Sequence, residues 1–234
     1  FMIKLRNWFL DNNYKNPTIV KAFRNFRCFL KWAKQEGYEV NDSAIGYREN
    51  VSIRQKKVIF LKFDELLKFY NYQFSDEKQY LERARDMFCF MAFTSLRYSD
   101  FSRLKVSDVY DDHIELYTEK TDVMLSIPLV SYAKALVEKY RGMGKNGLMF
   151  PVISNQKLND YIKEAAQEVG LDRQVVQVSY SGNTKHETVD KLCNIMSCHD
   201  ARRTFVCSSL HLGIPQSVVM KCTGHSDFRA MRPY

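Results

Sequence analysis

Six side chains in this 234-residue sequence have the types and the order to handle a phosphodiester: Arg97, Lys120, His199, Arg202, His225 and Tyr234. They lie in four short segments, TSLRYSD (94–100), TEKTD (118–122), HDARRTF (199–205) and TGHSDFRAMRPY (223–234). A phosphodiester resists attack because it is anionic and its alkoxide leaves poorly. Cleavage needs positive charge on the non-bridging oxygens, an in-line nucleophile and a proton for the leaving oxygen. Two arginines can clamp the phosphate with planar, permanently charged donors. A histidine can donate to the same oxygens or move a proton. A lysine in a hairpin turn can protonate the leaving oxygen. A tyrosine can attack and keep the bond energy in a phosphotyrosyl ester. Its phenol, with an ordinary pKa near 10, then needs a cationic neighbourhood or a base. Such a set works without a metal ion, so no metal or other cofactor is expected.

Each residue also has a plainer reading. An arginine after a buried helix is commonly an ion-pair partner, and a lysine in a turn is commonly just solvated. His199 can cap a helix, and Gly224-His225 can be a helix C-terminal turn. It is their order and spacing that favour chemistry. Six cysteines (Cys28, Cys89, Cys193, Cys198, Cys207, Cys222) are scattered without a CxxC pair and read as reduced thiols. A zinc set of Cys198, His199, Cys207 and His211 can be written down, but its spacing matches no common zinc pattern.

The elements that must position these residues are mainly helical. Residues 18–36 repeat Ile19, Phe23, Phe26, Leu30 and Ala33 at helical spacing, with Gly37 as a stop. Lys21, Arg24, Arg27, Lys31 and Lys34 recur on the opposing arc, with no acid before Glu36. A one-sign stripe suits phosphates, although a solvated face is the commoner meaning of such a pattern. Residues 41–57 lose the period and end on Arg54, Lys56 and Lys57, as a basic linker does. Helical spacing returns over 63–72, 79–95, 131–140, 154–169, 199–212 and 215–222. Alternation over 113–129 predicts a hairpin whose turn carries Lys120. A second hairpin is expected around Ser181-Gly182-Asn183. The fold class expected is therefore α+β, mainly α with small β-hairpins. The net charge of +8 is compatible with a nucleic-acid partner. No apolar run reaches membrane-spanning length.

Taken together, these segments resemble the tyrosine recombinase (phage integrase) family. TSLRYSD is similar to the family's T-G-L-R-x-x-E/D, with Arg97 and Asp100 in place. His199-Asp200-Ala201-Arg202 is similar to H-x-x-R. Gly224-His225 matches the G-H pair, and Tyr234 follows His225 by the family's nine residues. Lys120-Thr121 fits the lysine of the hairpin turn. Ser95 stands where glycine is common, and Ala201 where leucine is common. TGHSDFRAMRPY resembles integrases of the Bacteroides group.

The resemblance implies a partial helical core-binding domain over residues 1–50, a linker over 51–57 and a catalytic domain over 58–234, cut at the nucleophile. It implies site-specific DNA cleavage and rejoining through a 3′-phosphotyrosyl link. Arg97 and Arg202 would hold the phosphate, His199 and His225 would support the transition state, Lys120 would be the acid and Tyr234 the nucleophile. Lys21, Arg24, Arg27, Lys31, Lys34, Arg54, Lys56 and Lys57 would meet the DNA backbone. The partners implied are double-stranded DNA at specific sites, a homotetramer on paired sites and accessory DNA-bending proteins. A bacterial cytoplasmic, nucleoid-associated location and no membrane follow. Two other functions fit the same residues: a type IB topoisomerase-like nicking and closing enzyme, and a DNA-binding regulator without catalysis.

Overall fold

The computed structural model describes residues 1–55 and 57–234; Lys56 lies outside the described residues. The chain divides into two compact units, Phe1–Lys57 with Val176–Val189, and Val58–Val175 with Asp190–Tyr234.

The first unit begins with α1 (Met2–Asp11) and α2 (Asn16–Gln35). Pro17 suits the start of α2, where the missing N–H has no intrahelical partner to lose. Ile19 and Phe23 are fully buried and form a small core with Met2, on which Leu5, Phe9 and Phe26 pack. The polar stretch that reads as linker contains one short helix, α3 (Asp42–Gly46), capped by the Asn41 side chain. The acid Glu49 just beyond it is buried against Arg27.

The second unit is built around α5 (Gln79–Thr94), which is buried almost throughout from Ala84 to Thr94. α4 (Phe63–Asn71) precedes it, and α6 (Tyr98–Phe101) follows after a three-residue turn. β1 (His113–Tyr117) and β2 (Met124–Pro128) pair antiparallel, with Ile114 opposite Ile127 and Leu116 opposite Leu125. Ile114, Leu125 and Ile127 are buried, so this hairpin lays one face on the core. Then come α7 (Ser131–Tyr140), α8 (Asn155–Val169) and α9 (Leu192–Ile195); between α8 and α9 the chain forms a second hairpin, β3 (Gln174–Ser181) and β4 (Thr184–Lys191), of which Val176–Val189 count with the first unit. α10 (Cys198–His211) and α11 (Gln216–Thr223) complete the unit. α4, α7, α8 and α10 all pack on α5, and α11 packs on β2.

A buried charge network braces this core. Arg85 on α5 donates to the carbonyls of Phe69, Tyr70 and Tyr72, closing the end of α4. It also pairs with Asp86, which Lys139 and Tyr140 of α7 hold from the other side. The ion pairs satisfy one another, which is what a buried charge requires.

Val176–Val189, which follow the expected linker in sequence, cluster with the first unit. One link is Asn16, which is 1% exposed. Its side-chain amide donates to Gly182 O at 2.9 Å and accepts from Gly182 N at 2.7 Å, as a neighbouring strand would. Gly182 takes φ +58°, which the tight turn needs. No helix among the described residues is long and apolar enough to cross a membrane.

Candidate active site

α5 ends at Thr94, and Ser95 caps it with φ +62° and ψ 5°. That left-handed turn explains why glycine suits the position. Here a serine adopts it, and its hydroxyl donates to Cys222 O at 2.9 Å. The chain then places Arg97 just ahead of α6. Arg97 Nη1 is buried and has no hydrogen-bond partner. Asp100 Oδ2 lies 3.8 Å from it, beyond a good hydrogen bond. Asp100 is buried and committed elsewhere: its Oδ1 accepts Glu119 N–H at 3.0 Å, which fastens the turn that carries Lys120.

α10 starts with a reciprocal cap. Ser197 N and Oγ both donate to Asp200 Oδ2, at 2.9 and 2.7 Å. Asn159 of α8 accepts Cys198 N–H at 2.8 Å. This start sets His199 in the first turn and turns Arg202 inward, where it is 2% exposed. Arg202 donates to Ser95 O at 2.8 Å and to Thr223 O. The same Nη2 faces His225 Nε2 at 3.2 Å. Arg97, His199 and Arg202 line one pocket of about 230 Å³ with Tyr98, Asn155, Asn159, Ser197 and Cys198.

The electrostatics of the site follow from burial and crowded cations. Burial first, and Arg97 second, lower the pKa of Arg202 to about 10. His225 is pushed down to about 4 by burial, then by Arg202, Arg97 and His199. His199 opens onto solvent, yet loss of hydration and the nearby Arg203 still lower its pKa. Burial and crowded positive charge act together on all three groups.

Tyr234 is half-buried and packs on a small apolar cluster of Val206, Val219, Met220 and Met231. The sequence suggests a phenol activated by cations. The structure shows the opposite balance: burial raises its pKa, and Arg203 and Arg202 only partly offset this. In this state the phenol stays protonated. Arg203, which pairs with Asp200 at 2.7 Å, is the cation with the larger effect on it. Lys120 stands exposed in the β1–β2 turn and is not among the residues lining the pocket.

The other expected DNA contacts divide. Lys21, Arg24 and Lys31 are exposed on α2. Lys34 is exposed too, but pairs with Asp42 at 2.5 Å. Arg27 does not face outward: it bonds Glu49 at 2.6 Å and Tyr47 O at 3.2 Å. An acid 22 residues downstream captures it, which no pattern local to α2 reveals. Arg54 stacks over the Tyr180 ring at 4.2 Å. Lys57 is exposed. Among the described residues no group of three or more His, Cys, Asp or Glu is placed to hold a metal ion.

Asn155, Asn159, Ser197 and Thr223 belong to the site and were not read from the sequence. The signal for Ser197 was present, since Ser197 and Asp200 have the spacing of a capping box. The asparagines sit on α8, 40 and 44 residues before His199 in sequence, and carry no local signature.

The chain matches the phage integrase family over residues 60–234. No curated protein sequence matches it. Its fold is similar to that of a lambda integrase dimer bound to a COC′ core site, with 18% identity and a TM-score of 0.72 over 99% of this chain and 77% of that one. It is similar to the Tn1549 transposon integrase in complex with a circular intermediate DNA, with 13% identity and a TM-score of 0.71 over 100% and 79%. It is also similar to the XerH site-specific recombinase bound to difH, with 17% identity and a TM-score of 0.68 over 100% and 66%. The chain thus spans about two thirds to four fifths of these proteins. With a family match that covers the whole second unit from Phe60 onward, and the arginine, histidine and tyrosine segments in the family's order, the chain belongs to the phage integrase family.

Proposed function

We propose that this chain cuts and rejoins duplex DNA at specific sites by transesterification, as a tyrosine recombinase. The observation that carries the reading is the pocket of Arg97, His199 and Arg202, in which Arg97 Nη1 is a buried donor without an acceptor. A buried unpaired donor is costly, and a non-bridging phosphate oxygen would satisfy it. Arg97 and Arg202 hold the scissile phosphate. His199 and His225 support the transition state and handle protons. Tyr234 Oη forms a bond to phosphorus while the bond to the 5′ oxygen breaks, and Lys120 supplies the proton to that oxygen. The 3′-phosphotyrosyl ester conserves the bond for rejoining, so neither a metal nor a high-energy cofactor is required.

The exposed cations Lys21, Arg24, Lys31 and Lys34, with Arg54, Lys56 and Lys57, serve as backbone contacts on the duplex. The domain plan is a core-binding part over residues 1–50, a linker over 51–57 and a catalytic part from residue 58. The solved relatives include a lambda integrase tetramer bound to a Holliday junction, and we assign this chain the same four-copy assembly on paired sites. Accessory DNA-bending proteins and a bacterial cytoplasmic location beside the nucleoid complete the reading.

The test is covalent capture. The protein is incubated with a library of nicked duplexes of randomised sequence, denatured, and the DNA-linked fraction is sequenced. A recurrent site is expected, and Tyr234→Phe should lose all covalent product while still shifting the recovered duplex in a binding assay. Covalent product persisting in that variant would remove Tyr234 from its role.

A further inference from the structure

The partners of the His225 ring, Arg202 and Thr223, leave its protons a single consistent arrangement. A guanidinium has donors only, so Arg202 Nη2 can face His225 Nε2 at 3.2 Å only if that nitrogen carries its lone pair. In the neutral ring the proton then sits on Nδ1, which lies 2.8 Å from Thr223 Oγ1. Thr223 Oγ1 must accept that proton, and it can, because its own hydrogen has a carbonyl to go to: Val219 O at 2.9 Å, with Met220 O at 3.2 Å as an alternative. Thr223 is fully buried, so no solvent competes for these bonds.

We infer that Thr223 is a positioning residue for His225: its hydroxyl holds the imidazole in the Nδ1–H tautomer and turns the bare Nε2 toward Arg202. The consequence for the chemistry rests on the recombinase reading above. With Nε2 bare, His225 enters the reaction as a proton acceptor at that atom. It becomes a donor to a phosphate oxygen only after it has taken up a proton, which an entering phosphate anion favours by offsetting Arg202 and Arg97.

The backbone around Thr223 is held independently of its hydroxyl. Ser95 Oγ donates to Cys222 O, and Arg202 donates to Thr223 O. Gly224 takes φ +66°, and a Cβ there would come within 3.0 Å of Leu125 Cδ2 on β2. Two hydrogen bonds outside the hydroxyl therefore hold residues 222 and 223, and Leu125 lies close over Gly224. Removing the hydroxyl alone should release the ring's tautomer without moving the chain.

The experiment is long-range ¹H–¹⁵N NMR of the histidine side chains at neutral pH, with His225 assigned by its loss in His225→Gln. The wild-type protein is expected to show protonated Nδ1 and bare Nε2. Thr223→Val should shift His225 toward the Nε2–H tautomer, and Thr223→Ser should restore the wild-type pattern. Covalent capture of the recovered duplex should fall about tenfold or more in Thr223→Val, as tautomer errors do in other sites, and recover in Thr223→Ser. A wild-type His225 protonated on Nε2 would overturn the inference, whatever the protein does to DNA. So would an unchanged tautomer in Thr223→Val. Should Thr223→Val fail to fold, Thr223→Ala removes the same hydroxyl and carries the same expected and contrary outcomes. A wild-type protein that shows the expected tautomer but links to no DNA would instead count against the recombinase reading.

Discussion

The arginines of the pocket and the cations of α2 are the same residue types under opposite physical conditions. Arg202 is stripped of water, bonded to two carbonyls and aimed at a histidine. Arg97 is half-buried with one donor left unmatched. Lys21, Arg24 and Lys31 stand in solvent. In a desolvated site a fixed charge acts at full strength on the charge that develops in a reaction. In solvent it acts through a screened field that fades over about 8–10 Å. A few buried cations can therefore carry the chemistry, while many exposed ones share the affinity.

The contrast fails if single substitutions in the two regions have similar consequences. Arg202→Ala should have the largest effect. It leaves Ser95 O and Thr223 O without their donor, at about 1–3 kcal/mol each, and thermal unfolding should show a clear loss. Covalent capture should fall by about 10²–10³. Arg97→Ala sharpens the contrast inside the pocket. It removes an unmatched buried donor, and Asp100 keeps its bond from Glu119 N and its neighbour Arg103 at 3.9 Å. The melting temperature should hold or rise, while capture drops about as far as in Arg202→Ala. A large stability loss in Arg97→Ala would mean that the residue is a structural ion-pair partner after all.

On α2 the expected effects are smaller and depend on salt. Lys21→Ala, Arg24→Ala and Lys31→Ala should each weaken duplex binding modestly and reduce the slope of log K against log salt by about one. Arg27→Ala should leave that slope unchanged and lower stability, because Glu49 is 7% exposed and loses its partner. Titrations at several salt concentrations, beside melting curves, separate the two kinds of cation on one helix.

The remaining effect is read on the protein without DNA and concerns pH. His225 has a pKa near 4 when folded and the ordinary value near 6.5 when unfolded. Between those values the unfolded chain binds the extra proton, so stability rises with pH through this window. The contribution is present above about pH 6.5, is lost as pH falls toward 4, and changes no further below that. Melting temperatures measured from pH 4 to 7 should rise less steeply in His225→Gln than in the wild type. Parallel curves would show that His225 is not held neutral by its surroundings.

Much of the site was legible because it is written in short local motifs. TSLR, HxxR, G-H and the nine-residue spacing to Tyr234 are local in sequence, and the helices and hairpins that carry them follow from hydrophobic period. The parts that were not legible depend on long-range encounters. Arg27 finds Glu49, Asn16 finds Gly182, and Asn159 finds Cys198, each across tens of residues. The state of Tyr234 was also hidden, because its packing on Val206, Val219, Met220 and Met231 decides between burial and nearby cations. Ser95 lies between these cases. A serine at a glycine position reads as a small departure in sequence. The fold gives it a left-handed backbone and a hydroxyl bond that ties α5 to the His225 segment.

The central claim is that one tyrosine becomes covalently joined to DNA. The most direct measurement is mass spectrometry of the protein–DNA adduct after nuclease and protease digestion. A phosphodiester remnant on the peptide that contains Tyr234, linked through the phenolic oxygen, is the result expected. A remnant on any other residue, or cleavage of DNA that leaves no remnant on the protein, would contradict it.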